Sequence, residues 1–213
     1  MTATFTRQQF DEACREFIHA HQSISSESSA YEDRLSGWSW KEHHTLPGFG
    51  YMHRIITLNW RHPASVESSL EIEDSLDVVD DGTTASHGSP DSLTCHQYVV
   101  LSATFRVPAF YFSIHGSSGS PLQLVDIMKT SLLRKDVCEG TVATTFAVSH
   151  PATNFPLLSQ GEHPTLGTPC WYFHPCETAS AVHEILKESE ESGGRALRWM
   201  EAWFTVLSTA VAT

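Results

Sequence analysis

Apolar side chains recur at helical spacing near both ends of the chain and alternate with polar ones between them. Near the start, Phe10, Cys14, Phe17 and Ile18 fall on one stripe of a 3.6-residue helix. Thr6 stands where an N-cap belongs, and Gln9 three residues later completes a capping box. Phe5 and Phe10 are spaced as a hydrophobic staple around that start. At the other end, Leu197, Met200, Phe204, Leu207 and Val211 line one face of a pattern over Arg195–Thr209. A second helical pattern, Thr178–Lys187, precedes it, and Gly193-Gly194 separates the two.

The middle of the chain is β-prone. Gly37–His44 and Tyr51–Trp60 are predicted strands. In the latter, Met52, Ile56, Leu58 and Trp60 alternate with more polar neighbours, with Arg54 interrupting the apolar face. Gln97–Phe105 and Val107–Ile114 follow as two further strands, with Pro108 near the start of the second, where an edge or a bulge tolerates it. Gly116 and Gly119 predict a turn, and Ser120-Pro121 could cap a helix. Asp126–Arg134 is the better-supported helix there. Thr141–Val148 alternates weakly, residues 150–169 are predicted loop because Pro151, Pro156, Pro164 and Pro169 interrupt them, and Cys170–Phe173 is a short aromatic strand. A helix, a run of hairpin-connected strands and then helices predict an α+β fold, an antiparallel sheet with helices packed on one face.

Charge sharpens this outline. The 213 residues carry 13 Lys+Arg against 25 Asp+Glu, a net charge of -12, which argues against a nucleic-acid binder that must displace counterions with a basic stripe. Between His62 and Phe105 there is no Lys or Arg, but eight acids: Glu67, Glu71, Glu73, Asp74, Asp77, Asp80, Asp81 and Asp91. Such a composition buries little surface, so His62–Ser92 is predicted to be a flexible acidic insertion, and Ser23–Ala30 a serine-rich loop. Five cysteines at scattered positions, with no CxxC and no signal peptide, predict reduced thiols and a cytoplasmic protein. No apolar run reaches the roughly 20 residues a membrane span needs.

Candidate chemistry gathers at Cys176, which follows the aromatic strand and a proline. It is open to several readings. As a core thiol it would be inert, although Pro175 before it and Glu177 after it disfavour burial. His163, Cys170, His174 and Cys176 have the atom types of a zinc site, but H-x6-C-x3-H-x-C matches no familiar knuckle. A hydrolytic Cys–His pair needs a positioned histidine, which a chain with 13 histidines always offers by number alone. A thiol on a proline-stiffened turn beside a helix start could also exchange acyl groups between thioesters, where access and positioning matter most. His174 could assist by charge or hydrogen bonding, or could brace the loop by bonding backbone.

The stretches "QYVVLSATFRVPAFYF" (Gln97–Phe112) and "LSQGEHPTLGTPCWYFHPCET" (Leu158–Thr178) resemble the autophagy E2-like conjugating enzymes. That resemblance implies an E2-like fold over residues 1–213, with one conjugating domain and the acidic insertion at about 62–92. It implies that Cys176 in His174-Pro175-Cys176 accepts a ubiquitin-like modifier, autophagy-related protein twelve, as a thioester from the autophagy activating (E1-like) enzyme. The acceptor it implies is a lysine of autophagy-related protein five, with no metal and no organic cofactor. Conventional ubiquitin-conjugating enzymes steady the oxyanion with the Asn of an HPN element. Here Asn59 and Asn154 are the two asparagines and neither lies in one. Other donors would then polarise the thioester, and Tyr98 and Tyr111, on the neighbouring strands, are candidates beside backbone N–H groups. Packing is the commoner role for each tyrosine, since aromatics chiefly supply apolar burial. The reading from a different class is a catalytically silent E2-fold interaction module.

Overall fold

The computed structural model describes residues 4–22, 35–45, 47–61, 92–152, 156–187 and 194–212. The predicted serine-rich loop, the acidic insertion up to Asp91, Asn154 and Gly193 lie outside these residues.

Helix α1 (Arg7–Ala20) begins as its sequence requires. The Thr6 side chain accepts from the Gln9 N–H while the Gln9 side chain accepts from the Thr6 N–H, closing the capping box. Eight strands form one antiparallel sheet: β1 (Ser39–Lys41), β2 (Tyr51–Leu58), β3 (Leu93–Leu101), β4 (Pro108–His115), β5 (Val142–Ala143), β6 (Ala147–Ser149), β7 (Leu158–Glu162) and β8 (Pro169–Phe173). Their spatial order is β1-β2-β3-β4-β8-β7-β6-β5. Strands β1 to β4 therefore run as a meander, and β8 inserts between β4 and the returning hairpins. One-turn helices α2 (Leu124–Ile127) and α3 (Lys135–Cys138) bridge β4 and β5. The chain closes with α4 (Thr178–Lys187) and α5 (Arg195–Ser208).

Alternation along the strands sorts the side chains into two layers. Met52, Val99, Phe110, Phe112, Ile114 and Trp171 enter the main core with Phe10, Cys14 and Phe17 of α1 and Met200 and Phe204 of α5. Phe17 stacks on Phe204 with ring centroids 4.4 Å apart, joining the first and last helices. The interrupting Arg54 is buried on this same face. Its guanidinium lies over the Trp38 ring at 4.5 Å, and it donates to Gln97 Oε1 at 2.6 Å and to the Ser36 carbonyl at 3.2 Å. The cation is thereby stacked and hydrogen-bonded, which is the condition for burying one. The opposite face carries a smaller cluster of Tyr51, Tyr98, Val100, Ala109 and Cys170, with Tyr111 packed against it.

The antiparallel sheet with an N-terminal and C-terminal helices is the predicted α+β architecture. Several local expectations differ. Asp126–Arg134 is not a helix beyond Ile127, because Thr130 bridges to Trp60 and Leu133 bridges to Val211. Pro121 starts no helix. It bridges to His115, and Leu122 N–H donates to the Ile114 carbonyl at 2.8 Å. Thr141–Val148 divides into β5 and part of β6 around a turn. The segment predicted as loop holds β7, which pairs with β8 along five residues from Leu158↔Phe173 to Glu162↔Pro169.

Phe17→Ala removes a ring with no solvent exposure from the joint between the terminal helices. It is expected to lower the unfolding free energy by about 3–5 kcal/mol. Urea titration should show this as a lower midpoint at unchanged slope. A loss below about 1 kcal/mol would mean that the two helices do not depend on each other through this ring.

Candidate active site

Cys176 owes its position to strand β8. Trp171 and Phe173 point into the main core layer, and β8 is hydrogen-bonded on both sides. Toward β4 the register is Tyr111↔Tyr172 and Phe112↔Trp171. The next residue, His174, still donates its N–H to the Leu157 carbonyl at 3.2 Å. Pro175 cannot continue a ladder, because it has no N–H. A 3₁₀ turn over Pro175–Glu177 begins there and runs directly into α4. Pro175 is buried, whereas Cys176 is partly exposed.

His174 caps the turn. Its Nδ1 accepts the Cys176 N–H at 3.4 Å, and its ring meets Phe105 edge-on with centroids 5.3 Å apart. With Nδ1 as the acceptor, a neutral ring carries its N–H at Nε2. Through this bond the imidazole braces the backbone that presents the thiol. The positive end of the α4 dipole lies at this turn and favours negative charge developing nearby.

The other cysteines stand in different surroundings. Cys14, Cys95 and Cys170 are buried, and Cys138 is partly exposed. Desolvation raises the Cys138 thiol, against a smaller opposing pull from Arg61. Burial pushes the Cys95 thiol up to about 12 and raises that of Cys170. Such thiols are poor nucleophiles at neutral pH.

The two candidate tyrosines belong to the opposite face of the sheet. Tyr98 and Tyr111 are register partners in β3 and β4. Tyr111 stacks on Tyr172 at 5.0 Å, and Tyr98 contacts Tyr51 at 6.0 Å and His53 at 5.0 Å. Burial pushes both phenols up to about 12. Their ring partners are one another's neighbours in this cluster, whereas His174 meets Phe105 and bonds Leu157, and the Cys176 N–H is bonded to His174. Asn59 ties the end of β2 to Ser131, accepting from the Ser131 N–H at 2.9 Å.

His163, a zinc candidate by residue type, organises the turn between β7 and β8. Its Nδ1 accepts the N–H groups of Thr165 and Leu166, each at 3.1 Å. Its ring stands edge-on to Tyr51 and Tyr98, at 4.8 and 4.7 Å. Among the described residues, no three His, Cys, Asp or Glu side chains are grouped to hold a metal ion. A cleft of about 690 Å3, lined by Leu122, Val125, Gln160 and Trp171 among others, opens at the Pro169 end of β8, whereas Cys176 follows its other end.

Residues 9–213 match the family of the autophagocytosis associated protein, active-site domain. The chain belongs to that family. It is 26% identical to a human ubiquitin-like-conjugating enzyme ATG10 over 206 residues, 95% of this chain and 86% of the relative. An Arabidopsis thaliana ubiquitin-like-conjugating enzyme ATG10 is 24% identical over 215 residues, covering 92% and 88% respectively. The protein of the same name from Dictyostelium discoideum is 28% identical over 94 residues, 44% of this chain and 36% of the relative. The family and the antiparallel sheet flanked by helices make this chain an E2-like conjugating enzyme. Among its described residues no helix is long and apolar enough to cross a membrane.

Burial pushes His163 down to about 4, so in acid the folded chain resists a proton that the unfolded chain accepts near its ordinary value of about 6.5. Unfolded chains bind more protons in that window, so stability is full above about 6.5 and falls as pH drops toward 4. His163→Asn should flatten this limb in chemical denaturation run at stepped pH. An unchanged acid limb would remove His163 as its cause. His174→Ala should lower the melting temperature and change Cys176 alkylation by the same factor at every pH, since it removes a backbone brace. A defect that vanishes as pH rises would instead make the imidazole an activator of the thiol.

Proposed function

We propose that this enzyme carries a ubiquitin-like modifier, autophagy-related protein twelve, as a thioester on Cys176 and passes it to a lysine of autophagy-related protein five. The observation that carries the reading is the setting of Cys176. It is a partly exposed thiol on a 3₁₀ turn, braced by His174 and leading into α4, in a chain of the autophagy conjugating family. The names of the human and Arabidopsis relatives, both ubiquitin-like-conjugating enzymes, support the modifier class.

Transfer onto Cys176 is an exchange between thioesters. The Cys176 thiolate attacks the carbonyl of the modifier's C-terminal glycine on the activating enzyme, and that enzyme's thiolate leaves. The acceptor lysine's neutral amine then attacks the same carbonyl. Cys176 leaves as thiolate, and the amine's extra proton passes to solvent or a nearby base. The first exchange is near-neutral in energy, so rate depends on access and orientation. In place of an HPN asparagine, other donors, backbone N–H groups among them, receive the oxyanion. Tyr98 and Tyr111 remain the side-chain alternatives from neighbouring strands. Residues 1–213 act as one conjugating domain of the cytoplasm, with the acidic segment at about 62–92 as an insertion and without metal or organic cofactor.

A catalytically silent interaction module is the rival reading, and one substitution separates the two. Cys176→Ser should fold, bind the activating enzyme and, with modifier and ATP, trap an oxyester that survives thiol treatment, because an alkoxide is a poorer leaving group than a thiolate. Cys170→Ser should still form the thiol-sensitive adduct. Non-reducing and reducing gels read both. An adduct lost with Cys170→Ser and kept as a thioester with Cys176→Ser contradicts the assignment.

A further inference from the structure

Phe105 is out of place as a turn residue. Turns favour Gly, Asn, Asp and Ser, whose side chains tolerate solvent or bond the local backbone. Phe105 instead lies in the β3–β4 connection and packs partly buried against the main core. Its ring meets one polar partner, the imidazole of His174, at 5.3 Å and 74°. That imidazole accepts the Cys176 N–H. Phe105 is thus one side chain removed from the backbone that presents the candidate nucleophile.

The turn around Phe105 is fixed with unusual care. Ser102 N–H donates to the Val107 carbonyl at 2.9 Å, and Arg106 N–H donates to the Ser102 carbonyl at 2.8 Å. Phe105 N–H donates to Ser102 Oγ at 3.3 Å. Arg106 adopts φ 54, the left-handed region, and is the residue other than glycine that does so among those described. For a residue with a Cβ this conformation is strained, and it persists where the surroundings over-determine it. Here the surroundings are Phe5. Its N–H donates to the Arg106 carbonyl at 2.7 Å, and Arg106 Nε donates back to the Phe5 carbonyl at 3.2 Å. Phe5 in turn meets Trp199 of α5 edge-on at 4.7 Å. The strained turn is therefore anchored at both ends of the chain, and it places the Phe105 ring on His174.

We propose that Phe105 is a positioning residue for the conjugation reaction, holding the His174 imidazole so that its Nδ1 keeps the Cys176 backbone in place. The proposal rests on the reading of Cys176 as the thioester-bearing residue. Phe105 acts through His174, and the contact is that of a flat ring edge-on to another, which an aliphatic side chain of similar bulk does not reproduce.

The test uses the full chain with Phe105→Leu, which keeps most of the volume, and Phe105→Tyr, which keeps the flat ring. Two readouts are taken at a temperature where all three proteins are folded. One is the exchange rate of the Cys176 amide hydrogen by nuclear magnetic resonance, which needs no partner. The other is single-turnover thioester formation with activating enzyme, modifier and ATP, resolved into maximal rate and half-saturating concentration. Phe105→Leu should raise Cys176 amide exchange and lower the maximal rate, each by about tenfold, with half-saturation nearly unchanged. Phe105→Tyr should match the native protein in both. Native-like exchange in Phe105→Leu, or faster exchange with an unaltered maximal rate, overturns the proposal. Equal defects in Phe105→Leu and Phe105→Tyr overturn it too. Absence of any adduct on the native chain sinks the thioester reading instead, and the amide-exchange comparison alone then decides whether Phe105 holds His174.

Discussion

The placement of Cys176 depends on strand β8 being held from both sides. Five residues long, it lies between β4 and β7 and buries Trp171 in the core layer. Fixing the backbone of one residue costs about 1–2 kcal/mol, so an unsupported loop could not present a thiol in one place. The ladder with β7 meets this cost up to Phe173, and the bond from His174 to Leu157 extends it by one residue. Pro175 then ends the ladder, and the chain has little choice but to turn. Cys176 stands where strand restraint stops and helix restraint begins.

The same logic runs outward through the fold. The first and last helices meet at Phe17 and Phe204, and Phe5 meets Trp199. Packing at the two ends of the chain therefore supports the β3–β4 turn, and that turn supports the residue beside the candidate nucleophile. The opposite face of the sheet has a separate role. There His163 closes the β7–β8 turn and packs against Tyr51 and Tyr98, so it fixes the entry into β8 as Pro175 fixes the exit.

Much of this was legible where local signals and burial agree. Thr6 and Gln9 announce α1 because capping is a short-range hydrogen-bond pattern. Strands β3 and β4 are long and apolar, and α5 keeps one apolar face. Legibility failed where tertiary contacts outweigh propensity. Strand β7 contains Gly161 and one buried apolar residue, Leu158, so alternation has nothing to register, and its existence comes from β8 beside it. The stretch after Ile127 has helical composition, but pairing of Thr130 with Trp60 and of Leu133 with Val211 draws it out. Arg54, an interruption in the sequence pattern, is a core residue because Trp38 and Gln97 receive it. The motif at Cys176 was visible as a string, whereas Phe105 was not, since its connection to His174 spans 69 positions and exists only in the fold.

Of the five cysteines, Cys176 and Cys138 are partly exposed, and Cys138 lines a small gap with Leu157 and Phe173 close to the same strand end. The most direct test is therefore to identify the loaded cysteine. The native chain is charged with activating enzyme, modifier and ATP, quenched in acid, digested without reductant and sequenced by mass spectrometry. The account expects the modifier's C-terminal remnant on the peptide containing Cys176. A remnant on the Cys138 peptide, with Cys176 unmodified, would contradict it.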